Sequence, residues 1–345
     1  MHPSSPLTNT DFTRIRELLS DPRKILITSH TNPDGDAIGA SLALYGYLTM
    51  KRHEVKVMVP DPFPSFLAWM PWHEKILVYS DDPAACEEAI RDADVILSVD
   101  HNSLDRIGPA NGSARSSKAV KVLIDHHKFP APHFDYLISV VAVSSTSELV
   151  FEFIEACGDA GMINREIAEC IYVGITTDTG SYSYSCNYVR TYEIVAELFR
   201  RGVNGEHIHR LVYDTYSESR LRLLGYALSE KLVVLPEYHT AYISLTKEEL
   251  DRFNYEVGDT EGVVNYALSI SGINLAALFS ERGGVIRVSF RSKGSFKCDT
   301  LAREHFDGGG HANASGAYSY VTMEETIRKF RALLPKYSEQ LKSVY

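Results

Sequence analysis

The sequence predicts a two-domain α/β protein: an N-terminal domain built on a mostly parallel sheet, a helical linker, and a smaller C-terminal α/β domain. Three observations carry this. Short, β-branched apolar runs alternate with helical patterns through the first part of the chain, as strands buried on both faces do. A polar, helix-patterned stretch without strand signals follows. Strand-like runs then return, mixed with shorter helices. The 345 residues suffice for two domains of roughly 100–200 residues each. The boundaries expected are 1–200 for the first domain, 201–230 for the linker and 231–345 for the second.

Lys24–Ser29 is a short apolar run that ends in the polar cluster His30–Asp36, and Ala37–Arg52 then reads as a helix with Leu42, Leu44, Tyr45 and Leu48 near one stripe. Val55–Val59, Val95–Val99 and Val120–Ile124 read as further parallel strands. Ser145-x-x-Glu148 has the form of a capping box opening a helix through Ala156, and Asn164 can cap the helix carrying Ile167, Ala168, Ile171, Val173 and Ile175. Asn204–Glu230 reads as one or two connecting helices. Beyond it, Leu232–Leu235, Thr240–Leu245, Asn274–Ser280 and Val285–Arg291 read as strands. No internal repeat is present.

Composition excludes several classes. Hydrophobic residues make up 44% and charged residues 23%, so the chain is neither disordered, fibrous nor a disulfide-stapled miniprotein. No apolar run approaches the ~20 residues of a membrane span. Met1–Ile15 shows neither a basic n-region nor an apolar h-region, so no secretory signal is expected. The five cysteines are scattered, without a Cys-x-x-Cys pair, which favours reduced thiols and a cytoplasmic setting over zinc or disulfides. The net charge of −10 argues against coating long nucleic acid. The segment Arg282–Arg303 is the exception, with Arg282, Arg287, Arg291, Lys293, Lys297 and Arg303 against Asp299 alone. An acidic body with one basic patch suits a small anionic ligand.

The Asp and His residues fall where chemistry is expected. His30, Asp34 and Asp36 directly follow the first strand, Asp100 follows Val95–Val99, and Asp125-His126-His127 follows Val120–Ile124. Ligand sites in open parallel sheets lie outside the carboxyl ends of strands, so the three clusters can converge, and Asp178 at a helix end can join them. Singly, each has a plainer reading, since an Asp after a strand often caps the next helix. Together, Asp34, Asp36, Asp100 and Asp178 would repel one another unless cations joined them. Two divalent ions would neutralise the four. Mixed imidazole and carboxylate ligation suits Mn2+, with Mg2+ as the alternative. The pattern is that of a two-metal hydrolase.

His30-x-x-x-Asp34-x-Asp36, Asp100, the triplet Asp125-His126-His127 and Asp178, in this order, resemble the DHH phosphoesterases. Gly308-Gly309-Gly310-His311, continuing Ala312-Asn313-Ala314-Ser315-Gly316, resembles the DHHA1 substrate-binding domain that accompanies them. The resemblance implies one metal held by His30, Asp34 and Asp100 and a second held by Asp36, Asp100, His126 and Asp178, with Asp100 bridging. It places His127 at the substrate phosphate and Asp125 behind His126 as its orienting partner, so that Asp100, Asp125 and His127 carry the catalysis. His101, beside Asp100, departs from the pattern and is expected on the solvent side or behind the ligands.

In the second domain, Ile286, Val288 and Phe290 alternate with Arg287, Ser289 and Arg291, so the apolar set faces the core and the arginines point away from it. Arginine matches phosphate oxygens; for Arg287 a solvated strand face is an equal reading. Arg291 and Ser292 lie in a segment that resembles the DHHA1 phosphate-binding stretch. Gly308, Gly309 and Gly310 let backbone approach a ligand, with His311 beside them. Twenty tyrosines are enough to supply stacking platforms for bases.

The chain length resembles the bifunctional oligoribonuclease and 3′-phosphoadenosine 5′-phosphate phosphatase branch. That implies short RNAs cut to 5′-mononucleotides, dephosphorylation of the bisphosphate nucleotide, an active site in the cleft between the domains, no long duplex and no membrane partner, and a monomer or homodimer. The rivals are a linear or cyclic dinucleotide phosphodiesterase, an inorganic pyrophosphatase or exopolyphosphatase, and a non-catalytic nucleotide sensor. The sensor should have lost a ligand, yet His30, Asp34, Asp36, Asp100, His126 and Asp178 are all present.

Overall fold

The computed structural model describes residue 7 and residues 11–342; most of the N-terminal stretch read for a secretory signal lies outside the described residues. The chain divides into two units between Thr215 and Tyr216.

The first unit runs α1 (Phe12–Leu18), β1 (Lys24–Thr28), α2 (Gly35–Met50), β2 (Glu54–Val59), β3 (Ile76–Val78), α3 (Pro83–Asp92), β4 (Val95–Val99), α4 (Asn111–Ser116), β5 (Val120–Asp125), β6 (Tyr136–Ser139), α5 (Thr146–Ala156), α6 (Arg165–Asp178), α7 (Val189–Arg200) and α8 (Gly205–Tyr213). Its six strands form one sheet in the order β3-β2-β1-β4-β5-β6, every pair parallel. Parallel strands need cover on both faces, and alternate residues meet that need. Ile25, Ile27, Val57, Val59, Val95, Leu97, Val122 and Ile124 pack under α2, α5 and α6. Leu26, Met58, Ile96 and Leu123 pack against α3, α4 and the 3-10 turn Leu104–Ala110. The predicted strands and caps recur within a residue or two. The short edge strands β3 and β6 carried too little periodicity to be read.

Helix α2 is apolar on nearly all sides and is buried along almost its whole length, as a helix wrapped by others must be. Glycine sets its distance from α6. A Cβ on Gly39 would stand 2.5 Å from the Cys170 carbonyl oxygen, and one on Gly35 would stand 2.3 Å from Thr177 Oγ1.

The second unit runs α9 (Glu218–Glu230), β7 (Leu232–Leu235), β8 (Thr240–Leu245), α10 (Lys247–Arg252), α11 (Val263–Leu268), β9 (Leu275–Arg282), β10 (Val285–Ser292), α12 (Cys298–His305), β11 (Asp307–His311), β12 (Ala314–Ser319) and α13 (Met323–Lys342). Its sheet order is β11-β12-β10-β9-β8-β7; only β8 and β9 are parallel. Phe279, Ile286, Val288 and Phe290 pack with Leu301, Phe330 and Leu334 of α12 and α13. Ala241, Ile243, Ala276 and Leu278 pack on the other face with α9, α10 and α11. Residues 201–230, read as a linker, hold α8 in the first unit and α9 in the second. Among the described residues no helix is long and apolar enough to cross a membrane.

Candidate metal and phosphate site

The strand order reverses direction between β1 and β4. Loops leaving two adjacent strands at such a reversal part to opposite faces and open a crevice at the strand carboxyl ends. The first-domain residues picked out by sequence are delivered there: His30, Asp34 and Asp36 from β1, Asp100 from β4, and Asp125, His126 and His127 from β5. Asp178 arrives as the last residue of α6.

Asp34 is also the N-cap of α2, accepting from the amides of Asp36 (3.0 Å) and Ala37 (3.1 Å) through Oδ1. The capping reading and the ligand reading are therefore compatible, since Oδ1 satisfies the helix and the carboxylate still lies within 4.8 Å of His30 and Asp100 donor atoms. Asp36 is buried and accepts from the first amides of α5, Thr146 N–H (2.6 Å) and Ser147 N–H (2.9 Å), which favour an anion at a helix start. Asp100 has φ +59°, a left-handed conformation that Asp tolerates better than most residues. The hydroxyl of Thr146 donates to its Oδ1 (3.1 Å).

The donors fall into groups. His30, Asp34 and Asp100 place one ligand atom each within 4.8 Å of one another, as do Asp36, His126 and Asp178. Nε2 of His126 stands 3.5 Å from Asp100, 3.5 Å from Asp178 and 3.9 Å from Asp36. Burial pushes the His126 imidazole down, yet the carboxylates of Asp178, Asp100 and Asp36 outweigh it and raise its pKa to about 10. Asp36 is pushed well above the usual carboxylate range by burial and by the charges of Asp100 and Asp178. Burial also pushes Asp100 up, but hydrogen bonding to His126 and His30 prevails and holds it well below that range.

These residues fit divalent cations. The Nδ1–H of His30 donates to the Thr31 carbonyl (2.8 Å), and its Nε2 faces Asp100 Oδ2, 3.3 Å away, across a gap that a proton or a metal cation must fill. A lone pair facing a carboxylate is repulsive unless a positive charge lies between them. The same demand raises His126. Carboxylate oxygens with imidazole nitrogens, and no thiolate, form a donor set suited to Mn2+ or Mg2+.

One expectation about the imidazoles needs correction, and another is narrowed. Asp125 hydrogen-bonds His127 through Oδ1 and Nδ1 at 2.7 Å, where the bond was expected to run to His126. Side chains two apart in extended chain share a side, so residue 127 meets residue 125 while residue 126 turns to the other carboxylates. Burial raises the Asp125 carboxyl, and the His127 charge and hydrogen bond, with His126, bring it below its ordinary value. Of the two places expected for His101, the structure excludes the solvent side and leaves the one behind the acidic cluster. The side chain is fully buried, its Nδ1 is 2.9 Å from the Ser103 carbonyl, and burial lowers its pKa to about 3.

Residues 24–175 match the DHH family, N-terminal domain, and residues 237–340 match the DHHA1 domain. The bifunctional oligoribonuclease and PAP phosphatase NrnA of Thermus thermophilus is 30% identical over 85% of this chain and 83% of its own.

The chain belongs to the DHH–DHHA1 family of phosphoesterases.

The Bacillus subtilis NrnA is 29% identical, over 86% of this chain and 89% of its own. A solved exopolyphosphatase-related protein from Bacteroides fragilis superposes with a TM-score of 0.92 at 44% identity, covering 97% of this chain and 99% of that one.

In the DHHA1 domain, the expected alternation on β10 is present, with Ile286, Val288, Phe290 and Ser292 buried and Arg287, Ser289 and Arg291 half-buried. Arg291 Nη1 donates to its neighbour Phe290's carbonyl (3.0 Å), and its buried Nε has no hydrogen-bond partner among the described residues. Ser292, expected at the substrate, instead faces the opposite side. Its hydroxyl donates to the Phe296 carbonyl (2.7 Å) and accepts from Asn313 Nδ2 (3.0 Å). Gly308, Gly309 and Gly310 lie in the edge strand β11, paired with β12, and His311 closes it opposite Ala314. Glycine is required there by packing, because a Cβ on Gly308 would stand 2.3 Å from the Gly316 carbonyl oxygen.

Sequence reasoning missed the DHH-domain residues that hold the acidic cluster in place. Thr146 and Ser147 supply the amides for Asp36. Ser145 caps α5 as expected, accepting from Glu148 N–H (3.1 Å), but the Glu148 carboxylate serves Ser144 and Thr191 rather than closing the reciprocal box. The signal was the hydroxyl run Ser144–Ser147 after a strand. Gly174 was silent, yet a Cβ there would stand 2.7 Å from Asp36 Oδ1.

Proposed function

We propose that this protein is a two-metal phosphoesterase that cuts short oligoribonucleotides to 5′-mononucleotides and removes phosphate from 3′-phosphoadenosine 5′-phosphate. The observation that carries the reading is the convergence of Asp36, Asp100 and Asp178 on one imidazole nitrogen of His126, beside the His30–Asp34–Asp100 group. NrnA relatives spanning most of the chain support the substrate class.

His30, Asp34 and Asp100 would hold one cation, and Asp36, Asp100, His126 and Asp178 the other. When bound, divalent cations supply Lewis acidity, drawing charge from phosphoryl oxygens and making water acidic enough to act as nucleophile near neutral pH. The chain's own groups do the rest. Thr146 and Ser147 fix Asp36, and Thr146 fixes Asp100, so the carboxylates are held before any ligand arrives. Asp125 fixes the proton of His127 on Nδ1, which leaves Nε2 to carry the mobile proton toward a leaving oxygen. In the DHHA1 domain, Arg291 offers a guanidinium to a substrate phosphate and His311 stands beside the glycine strand. Scattered cysteines without a Cys-x-x-Cys pair support a cytoplasmic setting for this reaction.

The test is product release from a trinucleotide, a much longer RNA, 3′-phosphoadenosine 5′-phosphate, a cyclic dinucleotide and inorganic polyphosphate, with Mn2+ and with chelator. Metal-dependent turnover of the trinucleotide and the bisphosphate, with little on the long RNA, is expected. Turnover of polyphosphate alone would replace this reading with the one that the Bacteroides relative's name favours.

A further inference from the structure

The DHHA1 domain carries cationic residues beyond Arg291, at the hairpin end of β9 and β10. In the antiparallel register Arg287 lies opposite Ser280 and Tyr318, and Arg282 lies opposite Val285. Residues directly opposite share a face, so Arg282, Arg287 and Tyr318 share the sheet face of Arg291. Arg282 donates to the Tyr255 hydroxyl and to Ser280 Oγ, and its guanidinium lies 5.1 Å from the Tyr255 ring centroid. The Arg287 guanidinium lies 6.0 Å from the Tyr318 ring, which is 37% exposed. The hydrogen bonds of Arg282 thus go to neutral hydroxyls. Burial, and to a lesser degree the charge of Arg287, push its pKa down. The Arg282 guanidinium, bonded to neutral hydroxyls and repelled by Arg287 on the same face, is a site that an anion would relieve.

We propose that Arg282, Arg287, Tyr255 and Tyr318 form a second nucleotide subsite, which takes a further phosphodiester and its base from an oligonucleotide whose terminal phosphate is held at Arg291. This rests on the substrate reading above. The arginines supply the fork for the phosphodiester, and the tyrosines supply faces on which a base stacks without regard to sequence. Strand geometry sets the spacing. Arg287 and Arg291 are four residues apart on β10, about 13 Å at ~3.3 Å per residue, and Arg282 lies further along the same face. The phosphates of one nucleoside bisphosphate, joined through a single ribose, are too close together to engage both ends. An oligonucleotide reaches both. The patch therefore separates the two substrate classes.

The test compares wild-type full-length protein with Arg282→Gln and Tyr255→Phe, each checked by thermal unfolding. The readouts are KM and kcat for a trinucleotide and for 3′-phosphoadenosine 5′-phosphate, and equilibrium binding of a phosphorothioate trinucleotide. Arg282→Gln should raise KM and Kd for the trinucleotide about tenfold, the loss expected for one charged hydrogen bond, and several-fold more than it raises KM for the bisphosphate. Tyr255→Phe should move the same ratio in the same direction by a smaller factor, and it carries the test if Arg282→Gln does not fold. Equal losses on both substrates, or none on the trinucleotide, would overturn the subsite. If wild type turns over neither substrate, the functional reading fails. The binding arm then decides the subsite alone: tenfold weaker binding by the variant upholds it, and equal binding sinks it.

Discussion

Asp125 and His127 are joined by a 2.7 Å hydrogen bond between Oδ1 and Nδ1, and that bond fixes the tautomer and the orientation of the His127 ring. The Nδ1–H points at a buried carboxylate, and the proposed function assigns the proton transfer to Nε2. Asp125→Asn keeps the shape but offers an amide that can present its NH2 group to the ring and favour the other tautomer. A fall of roughly 10–100-fold in kcat is expected, the usual effect of losing a partner behind an active-site histidine. Single-turnover kinetics with a melting curve checks this, and an unchanged kcat would sink the role assigned to Asp125.

The acidic cluster should make the protein's stability depend on divalent cations. Mn2+ at a hundredfold excess over its Kd adds about 2.7 kcal/mol, or roughly 5–10 °C in the melting temperature of a unit of this size. Asp100→Asn should remove turnover and most of that shift, because Asp100 adjoins both donor groups. Scanning calorimetry with Mn2+ and with chelator reads both. A variant with the wild-type shift and normal turnover would refute the bridging assignment.

Gly174 lies where α6 passes behind the site. A Cβ there would stand 1.9 Å from Ser147 Oγ and 2.7 Å from Asp36 Oδ1, so Gly174→Ala must displace the helix or the ligand. Overpacking of this kind costs about 1–3 kcal/mol. Weaker Mn2+ binding in a titration should accompany the lower melting temperature. Loss of stability with unaltered metal affinity would show that α6 yields and Asp36 does not.

His53 gives an acid-side stability limb away from the site. It is buried and its Nδ1 accepts from Arg23 N–H (3.1 Å), so the folded state needs it neutral. Burial, opposed by its hydrogen bond to the Leu19 backbone and helped by the charges of Lys51 and Arg23, lowers its pKa below 6.5. The unfolded chain therefore takes up the proton first as pH falls, and stability drops below about pH 6.5 toward the folded value. The urea midpoint should decline from about pH 7 to 5 in wild type and decline less steeply in His53→Gln. Identical slopes would rule out His53 as the source.

Much of this protein was determined by its sequence alone. The apolar runs at Lys24, Val95 and Val120 could only be strands covered on both faces, and each ended in Asp or His. The strand period and the turn chemistry after it are local, so they survive in a linear reading. That was enough to name the family and the residues that the fold gathers at the strand ends. The alternation of Arg287 and Arg291 with Ile286, Val288 and Phe290 was legible for the same reason.

Tertiary structure decided the rest. The bond of Asp125 to His127, and the hold of Thr146 and Ser147 on Asp36, depend on which side chains point together after the sheet has formed. Gly39 and Gly174 matter because two helices approach closely, a fact that no single helix encodes. Gly308–Gly310 has no side chain from which a strand could be read, and only its pairing with β12 makes it one. The sequence carries local periodicity and chemistry; long-range packing fixes how those pieces are aimed, because contacts between distant residues exist only in the assembled fold.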